Sequence, residues 1–203
     1  MPTVSTSFLR DDGSSGTGSA CGRLSLLLVG AALVSGLLAG CGGSSLPQPG
    51  SETYRQVVSA FFTGVTAVQS GQDKLAGERL AEVTDIAPGE PAGWANRGLL
   101  ALRQRDFEQA SQWLGEAESL APEHPHILRL MGLLHSNQGS YQEAVSYFER
   151  SIEADPANVR SRYLLAQELE RQGGAGSGER VLELLQEILD RRPHNLAVQV
   201  ELL

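Results

Sequence analysis

Small and helix-ending residues recur in this chain at one fixed spacing of about 34 residues. The recurring positions are Gly64, Gly98, Gly132 and Ala166, the alanines Ala76, Ala110 and Ala144, and the prolines Pro88, Pro122 and Pro156. Pro193 comes three residues later than this spacing would place it, so the final copy is slightly longer. A fixed period of this length is typical of an architecture in which one small unit is stacked several times. We therefore interpret residues 57–193 as four copies of one unit.

The residue types at the repeated positions fit a pair of packed helices in each unit. Gly98 with Ala110, and Gly132 with Ala144, are small residues that allow close approach, so we expect the members of each pair to face each other. The proline after each second helix ends it, because proline cannot donate the next backbone hydrogen bond. The stretch QGGAGSG at 172–178 holds the extra residues. We interpret it as a turn, because its spacing fits neither glycine-rich phosphate-binding motif.

The spacing and the residue types resemble the tetratricopeptide repeat, in which roughly 34 residues form two antiparallel helices with the pattern W-x2-L-G-x2-Y, then A-x3-F, then P. The matching residues are Trp94, Gly98, Ala101, Ala110, Leu114 and Pro122 in the second copy, and Leu128, Met131, Gly132, Gly139, Tyr141, Ala144, Phe148 and Pro156 in the third. The resemblance implies an all-α fold, a helical solenoid of stacked antiparallel helix pairs. Its repeats are expected at 57–90, 91–124, 125–158 and 159–195.

An apolar run ahead of the repeats ends in a cysteine. Residues 24–40 read LSLLLVGAALVSGLLAG, with Arg23 before them and Cys41 after them. A basic residue, a short apolar core and small residues are typical of a cleavable secretion signal rather than a membrane-spanning helix. The residues LAGC that end at Cys41 resemble the lipobox of bacterial lipoproteins, which implies a signal peptide at 1–40 and lipid on Cys41. The alternative is a buried core cysteine, which the polar GGSSLPQPG that follows disfavours.

Residues 41–56 are predicted to be a lipid-anchored flexible tether, because glycine, serine and proline dominate the first part. Lipid on Cys41 implies a protein held at the periplasmic face of a cell-envelope membrane. Gly42 is not the aspartate that retains many such lipoproteins in the inner membrane, so the outer membrane is expected where a cell has two. The second cysteine, Cys21, lies in the signal peptide, so the processed chain has no disulfide and no thiolate metal ligand.

Charge and spacing argue against several other functions. The net charge of −8 gives no reason to expect a nucleic acid as partner, since that partner needs a basic surface. His124 and His126 lie in a turn between repeats without a third ligand nearby in sequence, so we interpret them as solvated histidines. His135 and His194 have no serine, aspartate or cysteine at a spacing that would build a catalytic site. The sequence therefore predicts no enzymatic activity, no cofactor and no bound metal.

The resemblance also implies where a partner binds. The first helix of each pair lines the inner groove of the superhelix, and a peptide or a helix of a partner protein binds in that groove. Helical spacing selects for the groove Phe61, Val65, Val68, Ala95, Asn96, Leu99, Leu102, Arg129, Leu133, Ser136, Asn137, Tyr163, Gln167, Glu170 and Arg171. We expect a peptide to place apolar groups on Leu99 and Leu102 and an acidic group near Arg129 and Arg171. The alternative for the first copy is that segment 46–56 covers its aromatic residues.

The residues NLAVQVELL at 195–203 begin a further first helix and then stop. Their leucines and valines would leave apolar surface open at the end of a solenoid, so we interpret the chain as the amino-terminal part of a longer protein. The resemblance implies a protein–protein interaction scaffold with an assembly or adaptor role at the bacterial cell envelope. The alternative is the docking arm of a larger enzyme, or of a propeller-containing protein, whose remaining domain lies beyond residue 203.

Overall fold

The computed structural model describes residues 46–174 and 176–193, and these residues form eight helices and no strand. The helices are α1 (Glu52–Ser70), α2 (Asp73–Ile86), α3 (Pro91–Gln104), α4 (Phe107–Leu120), α5 (Pro125–Gln138), α6 (Tyr141–Ala154), α7 (Val159–Gln172) and α8 (Ser177–Arg191). Contacts are most extensive within the pairs α1–α2, α3–α4, α5–α6 and α7–α8. The prediction of an all-α solenoid of helix pairs is confirmed. The expected signal peptide at 1–40, Cys41 and the expected further helix at 195–203 lie outside the described residues.

The first helix begins earlier than the sequence pattern predicts. Helix α1 starts at Glu52, whereas the predicted tether extends to residue 56. The side chain of Ser51 accepts a hydrogen bond of 3.0 Å from the backbone N–H of Tyr54. A serine in this position satisfies one of the free N–H groups at a helix start, so it fixes the boundary there.

The turns inside the first three pairs share one backbone conformation. Gly71, Arg105 and Gly139 each follow a first helix, and their φ angles are 75°, 59° and 80°. Each backbone N–H bonds back to carbonyls of the helix it ends. Positive φ is easy for glycine and costs other residues free energy, so Arg105 is the strained member of the set.

In the first three pairs, the first helix carries a glycine where it comes close to the second helix, whereas α7 has Ala166 at that position. A Cβ added at Gly98 would lie 2.4 Å from Leu114, and one at Gly132 would lie 2.5 Å from Phe148. The atoms nearest to these added Cβ positions belong to Leu114 and Phe148 rather than to the expected partners Ala110 and Ala144. Those alanines are fully buried, but the glycines make room for the large side chain one helical turn further along. In these repeats a large side chain of the second helix thus packs directly against the glycine backbone of the first helix.

Candidate functional site

The first helices α1, α3 and α5 lie side by side on one surface of the solenoid. Helix α3 contacts both α1 and α5, whereas in the described part α2, α4 and α6 make no contact of that extent with one another. First helices that lie closer together than second helices bend the stack toward themselves. The first helices therefore form the inner face, which is the candidate binding surface.

The inner face is apolar at its amino-terminal end. The rings of Phe61 and Phe62 meet edge to face with centroids 5.8 Å apart, and Phe62 is 46% exposed. Leu99 and Leu102 of α3 are partly buried, packing against the core on one side. Beside this face, a shallow cavity of about 320 Å³ opens between α1 and the start of α2, lined by Phe62, Thr66 and Leu75. This end of the face offers apolar surface to a partner.

The segment 46–56 does not cover this surface. Its residues 52–56 form the start of α1, and Leu46 is itself 45% exposed. Phe61 packs instead against a small buried cluster from α1 and α2 that contains Val57 and Val83. Phe62 is therefore exposed on α1 and is not covered by residues 46–56.

The residues predicted to line the groove differ in how accessible they are to a partner. Val68 and Ala95 are buried in the core and belong to the packing between repeats. Val65, Leu133 and Tyr163 are partly buried, while Gln167 and Glu170 are exposed. Asn96 and Asn137 donate side-chain hydrogen bonds of 2.8 Å and 2.7 Å to the carbonyls of Ala92 and Leu133 in their own helices.

Arg171 is held by neighbours in the solenoid. Its guanidinium donates to the hydroxyl of Ser136 at 3.1 Å and lies 3.6 Å from the carboxylate of Glu168. Ser136 in turn donates to Glu168 at 2.6 Å. Glu168 is only 2% exposed, and its Oε1 atom has no hydrogen-bond partner among the described residues. A buried carboxylate stabilises the cation beside it, so the charge of Arg171 is largely compensated within the protein.

A second set of cations on α5 and α7 has no such compensation. Arg129 is 8% exposed and donates a hydrogen bond of 2.7 Å to Nδ1 of His126. Arg160 is exposed at the start of α7, close enough for its charge to lower the pKa values of both Arg129 and His126. Within residues 46–174 and 176–193, no ion pair joins a carboxylate to either arginine. We call His126, Arg129 and Arg160 the cationic cluster.

The imidazole in the cationic cluster is neutral. Burial, followed by the charges of Arg129, His124 and Arg160, lowers the pKa of His126 to about 3. Burial and the charge of Arg160 lower the pKa of Arg129 to about 10, so Arg129 stays cationic at neutral pH. A guanidinium can only donate, so Nδ1 of His126 is the acceptor and the ring proton lies on Nε2.

The sequence pattern misses part of this cluster. His126 was predicted to be solvated, and that prediction is wrong, because the side chain is partly buried against Arg129. Arg160 was not selected, although it occupies the position of the next repeat that corresponds to His126. The 34-residue spacing between His126 and Arg160 predicts that both side chains lie at the same position of neighbouring first helices. The predicted pairing of Arg129 with Arg171 for an acidic group overlooked Glu168.

The described residues hold neither a candidate metal site nor a membrane-spanning helix. No group of three or more His, Cys, Asp or Glu side chains there is arranged to hold a metal ion. None of the helices in that part is long and apolar enough to cross a membrane.

Four packed helix pairs with their first helices on a shared inner face define an α-helical-repeat protein. The family model of the tetratricopeptide repeat matches residues 91–124 and 125–158, the same ranges as the second and third copies. The chain therefore contains tetratricopeptide repeats, and its described part has the fold of that repeat.

Solved structures of other repeat proteins share the fold. An O-GlcNAc transferase mutant of Thermobaculum terrenum is 17% identical, with 70% of this chain and 27% of that chain covered and a TM-score of 0.65. A structure of pilF from Pseudomonas aeruginosa is 15% identical, with 73% and 66% covered and a TM-score of 0.66. YrrB, described as a tetratricopeptide-repeat protein with an unusual peptide-binding site, is 18% identical, with 71% and 73% covered and a TM-score of 0.57. This chain thus spans about a quarter of the transferase. A search of curated protein sequences finds no significant match.

Proposed function

We propose that this protein is a lipid-anchored scaffold that binds a peptide segment of a partner protein along its inner face, in an assembly or adaptor role at the bacterial cell envelope. The observation that carries the proposal is a combination on that face of two kinds of side chain. Phe62 on α1 is exposed and leucines on α3 are partly buried, while the cations on α5 and α7 have no carboxylate partner among the described residues. Apolar contacts supply most of the affinity of such a site, and charge sets selectivity and rate.

The described peptide-binding site of YrrB supports this use of the fold. A solenoid presents one continuous surface built from several repeats, so it suits recognition of an extended segment better than recognition of a small molecule.

Site-specific photocrosslinking in cells tests the inner face. A photoreactive residue is placed at Phe62 or Asn137, which are exposed on first helices, and at Gln112 or Gln142, which are exposed on second helices. We expect one and the same protein to crosslink from both inner positions and not from the outer ones. Crosslinks from α4 and α6 alone would show that the outer face is the working surface.

The anchor is a separate part of the proposal, supported by the LAGC sequence behind an apolar run. Two or more acyl chains on Cys41 would hold the protein on a bilayer, whereas a single chain binds only marginally. The proposed location is the periplasmic face of the envelope, and Gly42 favours the outer membrane in a cell that has two.

Metabolic labelling with a palmitate analogue tests the anchor. We expect label on the parent protein and on Cys21→Ser, and none on Cys41→Ser, which should leave the membrane fraction or accumulate unprocessed. Absence of label from the parent, or equal labelling of both variants, refutes lipid attachment at Cys41.

A second candidate function is the docking arm of a larger enzyme or propeller-containing protein. The observation that favours it is that the match covers only 27% of a transferase chain, so most of that chain lies outside the part similar to this protein. Sequencing the gene past the codon for Leu203 tests it. A new domain supports the docking arm, and a stop codon or further repeats support the scaffold alone.

A further inference from the structure

The three interfaces between consecutive repeats carry different side chains at two corresponding positions. The first position joins a second helix to the next first helix, and its pairs are Val83 with Gly93, Ala117 with Ile127, and Ser151 with Ser161. The second position joins consecutive first helices, and its pairs are Val68 with Leu100, Leu102 with Leu134, and Ser136 with Glu168. Members of each set are 34 residues apart along the chain, so the three interfaces can be compared directly.

At the first position, the pairs of the first two interfaces are matched in size. A Cβ added to Gly93 would lie 2.9 Å from Val83, so the larger residue is on the second helix and has only backbone opposite it. In the next interface the small residue is on the second helix instead, since Ala117 and Ile127 are both fully buried in one core cluster. Close-packed interiors accommodate extra volume poorly, so a residue from one pair does not fit the partner of the other.

The third interface is matched in polarity instead. The hydroxyl oxygens of Ser151 and Ser161 are 2.7 Å apart, and both residues are fully buried. Ser136 donates a hydrogen bond of 2.6 Å to Glu168, which is 2% exposed. The residue that corresponds to Glu168 in the preceding repeat is Leu134, which is also buried. Polar groups buried in this interface are therefore satisfied by polar groups of the neighbouring repeat.

A repeat packed against the wrong neighbour would lose these matches. If the fourth repeat packed on the second, Glu168 would lie opposite Leu102, and a buried carboxylate would lose its serine donor. If the third repeat packed on the first, Ile127 would lie opposite Val83, whose partner in the structure is a glycine. Overpacking and an unsatisfied buried polar group are both destabilising, so the native order alone satisfies every pair.

We propose that these pairs, which we call the matching pairs, specify the order in which the repeats stack. The order in turn fixes the sequence of side chains along the inner face, because each first helix contributes one part of that face. Apolar residues on α1 and α3 then precede the cations on α5 and α7. The inference concerns the folding of the chain, so it is independent of the proposed peptide binding.

Two full-length variants of identical composition test the matching pairs. The permuted variant exchanges first-helix residues of the third and fourth repeats through Ile127→Ser, Leu134→Glu, Ser161→Ile and Glu168→Leu. The rematched variant also exchanges the residues opposite them through Ala117→Ser, Leu102→Ser, Ser151→Ala and Ser136→Leu. Both variants keep the total apolar content of the parent, so they differ from it only in which residues face each other.

Urea unfolding followed by circular dichroism measures the effect on the unfolding equilibrium constant. We expect the permuted variant to raise this constant about a hundredfold or more, because two interfaces are mismatched at once. The rematched variant should recover at least about tenfold of that loss, although it carries twice as many substitutions. A permuted variant as stable as the parent, or a rematched variant no more stable than the permuted one, refutes the proposal.

A single pair provides the test where the permuted variant does not fold. Ser136→Leu leaves Glu168 without its donor and should speed hydrogen exchange of the α7 and α8 amides about tenfold. Adding Glu168→Leu should reverse this effect, because the pair then corresponds to Leu102 with Leu134. Adding Glu170→Leu, at an exposed residue of α7, is the control and should not reverse it. Additive effects of Ser136→Leu and Glu168→Leu, or equal rescue by the control, would show that these residues do not act as a pair.

Discussion

Single glycines determine how closely the two helices of a repeat pack. Gly132 lies against Phe148, and an added Cβ would come within 2.5 Å of that ring. We expect Gly132→Ala to lower the free energy of unfolding by about 1–2 kcal/mol, since overpacking outweighs the gain in helix propensity. Urea denaturation followed by circular dichroism measures the change.

Gly115 provides the matched control within the same fold. It lies inside α4, and an added Cβ there would meet no atom within 4 Å. Gly115→Ala should therefore raise the free energy of unfolding by up to about 1 kcal/mol. Equal effects of the two substitutions would show that close approach at Gly132 is not what constrains that position.

His126 makes the stability of the fold depend on pH. Its pKa is about 3 in the folded protein and near 6.5 when unfolded, so the unfolded chain takes up a proton first as the pH falls. The contribution of His126 to the free energy of unfolding is constant above about pH 6.5 and decreases as the pH falls from there toward 3. Between pH 7 and pH 5 we expect a loss of about 1–2 kcal/mol from this group.

Urea unfolding at several pH values tests this dependence. His126→Gln should show a shallower acid limb than the parent. Arg160→Gln should lie between the two, because the charge of Arg160 is one cause of the lowered pKa of His126. Identical acid limbs for the parent and His126→Gln would contradict a neutral, partly buried imidazole.

At the scale of single residues, the repeat period identified positions better than partners. Gly98 and Gly132 are at close approaches as predicted, and the side chains nearest to an added Cβ there are Leu114 and Phe148 rather than the alanines. The period reports that a position is shared, whereas side-chain direction along the helix decides what it meets. Glu168 was missed because a buried charge is recognisable only once its neighbours are known.

Among the structural elements, the turns inside the helix pairs show one local conflict. Arg105 adopts φ 59°, whereas glycines occupy the same place in the repeats on either side. The left-handed conformation costs an L-residue about 1–2 kcal/mol, partly offset because glycine adds freedom to the unfolded chain. Arg105→Gly should therefore stabilise the protein by about 0.5–1 kcal/mol.

The reverse substitution in the next repeat checks the same cause. Gly139 has φ 80° and open space within 4 Å of an added Cβ, so Gly139→Arg changes the backbone preference without a clash. We expect it to destabilise by about 1 kcal/mol. Thermal unfolding of both variants measures the two effects, and opposite signs are required. A destabilising Arg105→Gly would show that the arginine side chain contributes contacts that outweigh the strain.

Helix boundaries were predictable where a proline or a glycine marks them and less so elsewhere. Pro91 and Pro125 each occupy the first turn of a first helix, where the ring fits and the missing N–H costs nothing. Helix α1 has no such mark, and its start at Glu52 depends on the side chain of Ser51. The first repeat was expected to begin at residue 57, so residues 52–56 were assigned to the tether. Capping acts through one hydrogen bond that neither the repeat spacing nor composition reports.

At the scale of the whole molecule, the repeat spacing predicted the architecture. It predicted the binding surface only in part. A fixed period with small residues and prolines at the same places in each copy leaves few folds other than stacked helix pairs. The change from apolar to charged side chains along the first helices was also predictable from the sequence. Which cations remain uncompensated was not, because that depends on contacts between repeats, such as Ser136 and Arg171 with Glu168.

The net charge of the protein and the local charge of the cationic cluster act on an acidic peptide in opposite directions. The chain carries −8 overall, so its long-range field repels such a peptide, while Arg129 and Arg160 attract it at contact. The Debye length falls from about 30 Å in 0.01 M salt to about 8 Å at 0.15 M, which screens the distant charges far more than the contact.

Stopped-flow anisotropy at about 0.01 M and 0.15 M salt, the two screening conditions above, separates these terms. The probe is the peptide Leu-Leu-Gly-Ser-Gly-Ser-Glu-amide, capped at its amino terminus by a net-neutral fluorophore, and the control peptide has Gln in place of Glu. We expect the association rate constant to rise with salt, because the repulsive field is removed, and the dissociation rate constant to rise as well, because the contact pair weakens. The control peptide with Gln is uncharged, so its rate constants should change little. In Arg160→Gln the association rate should rise more steeply than in the parent, since less local attraction remains to be screened. An association rate of the parent that falls with salt would show that the cationic cluster, and not the net charge, governs the approach.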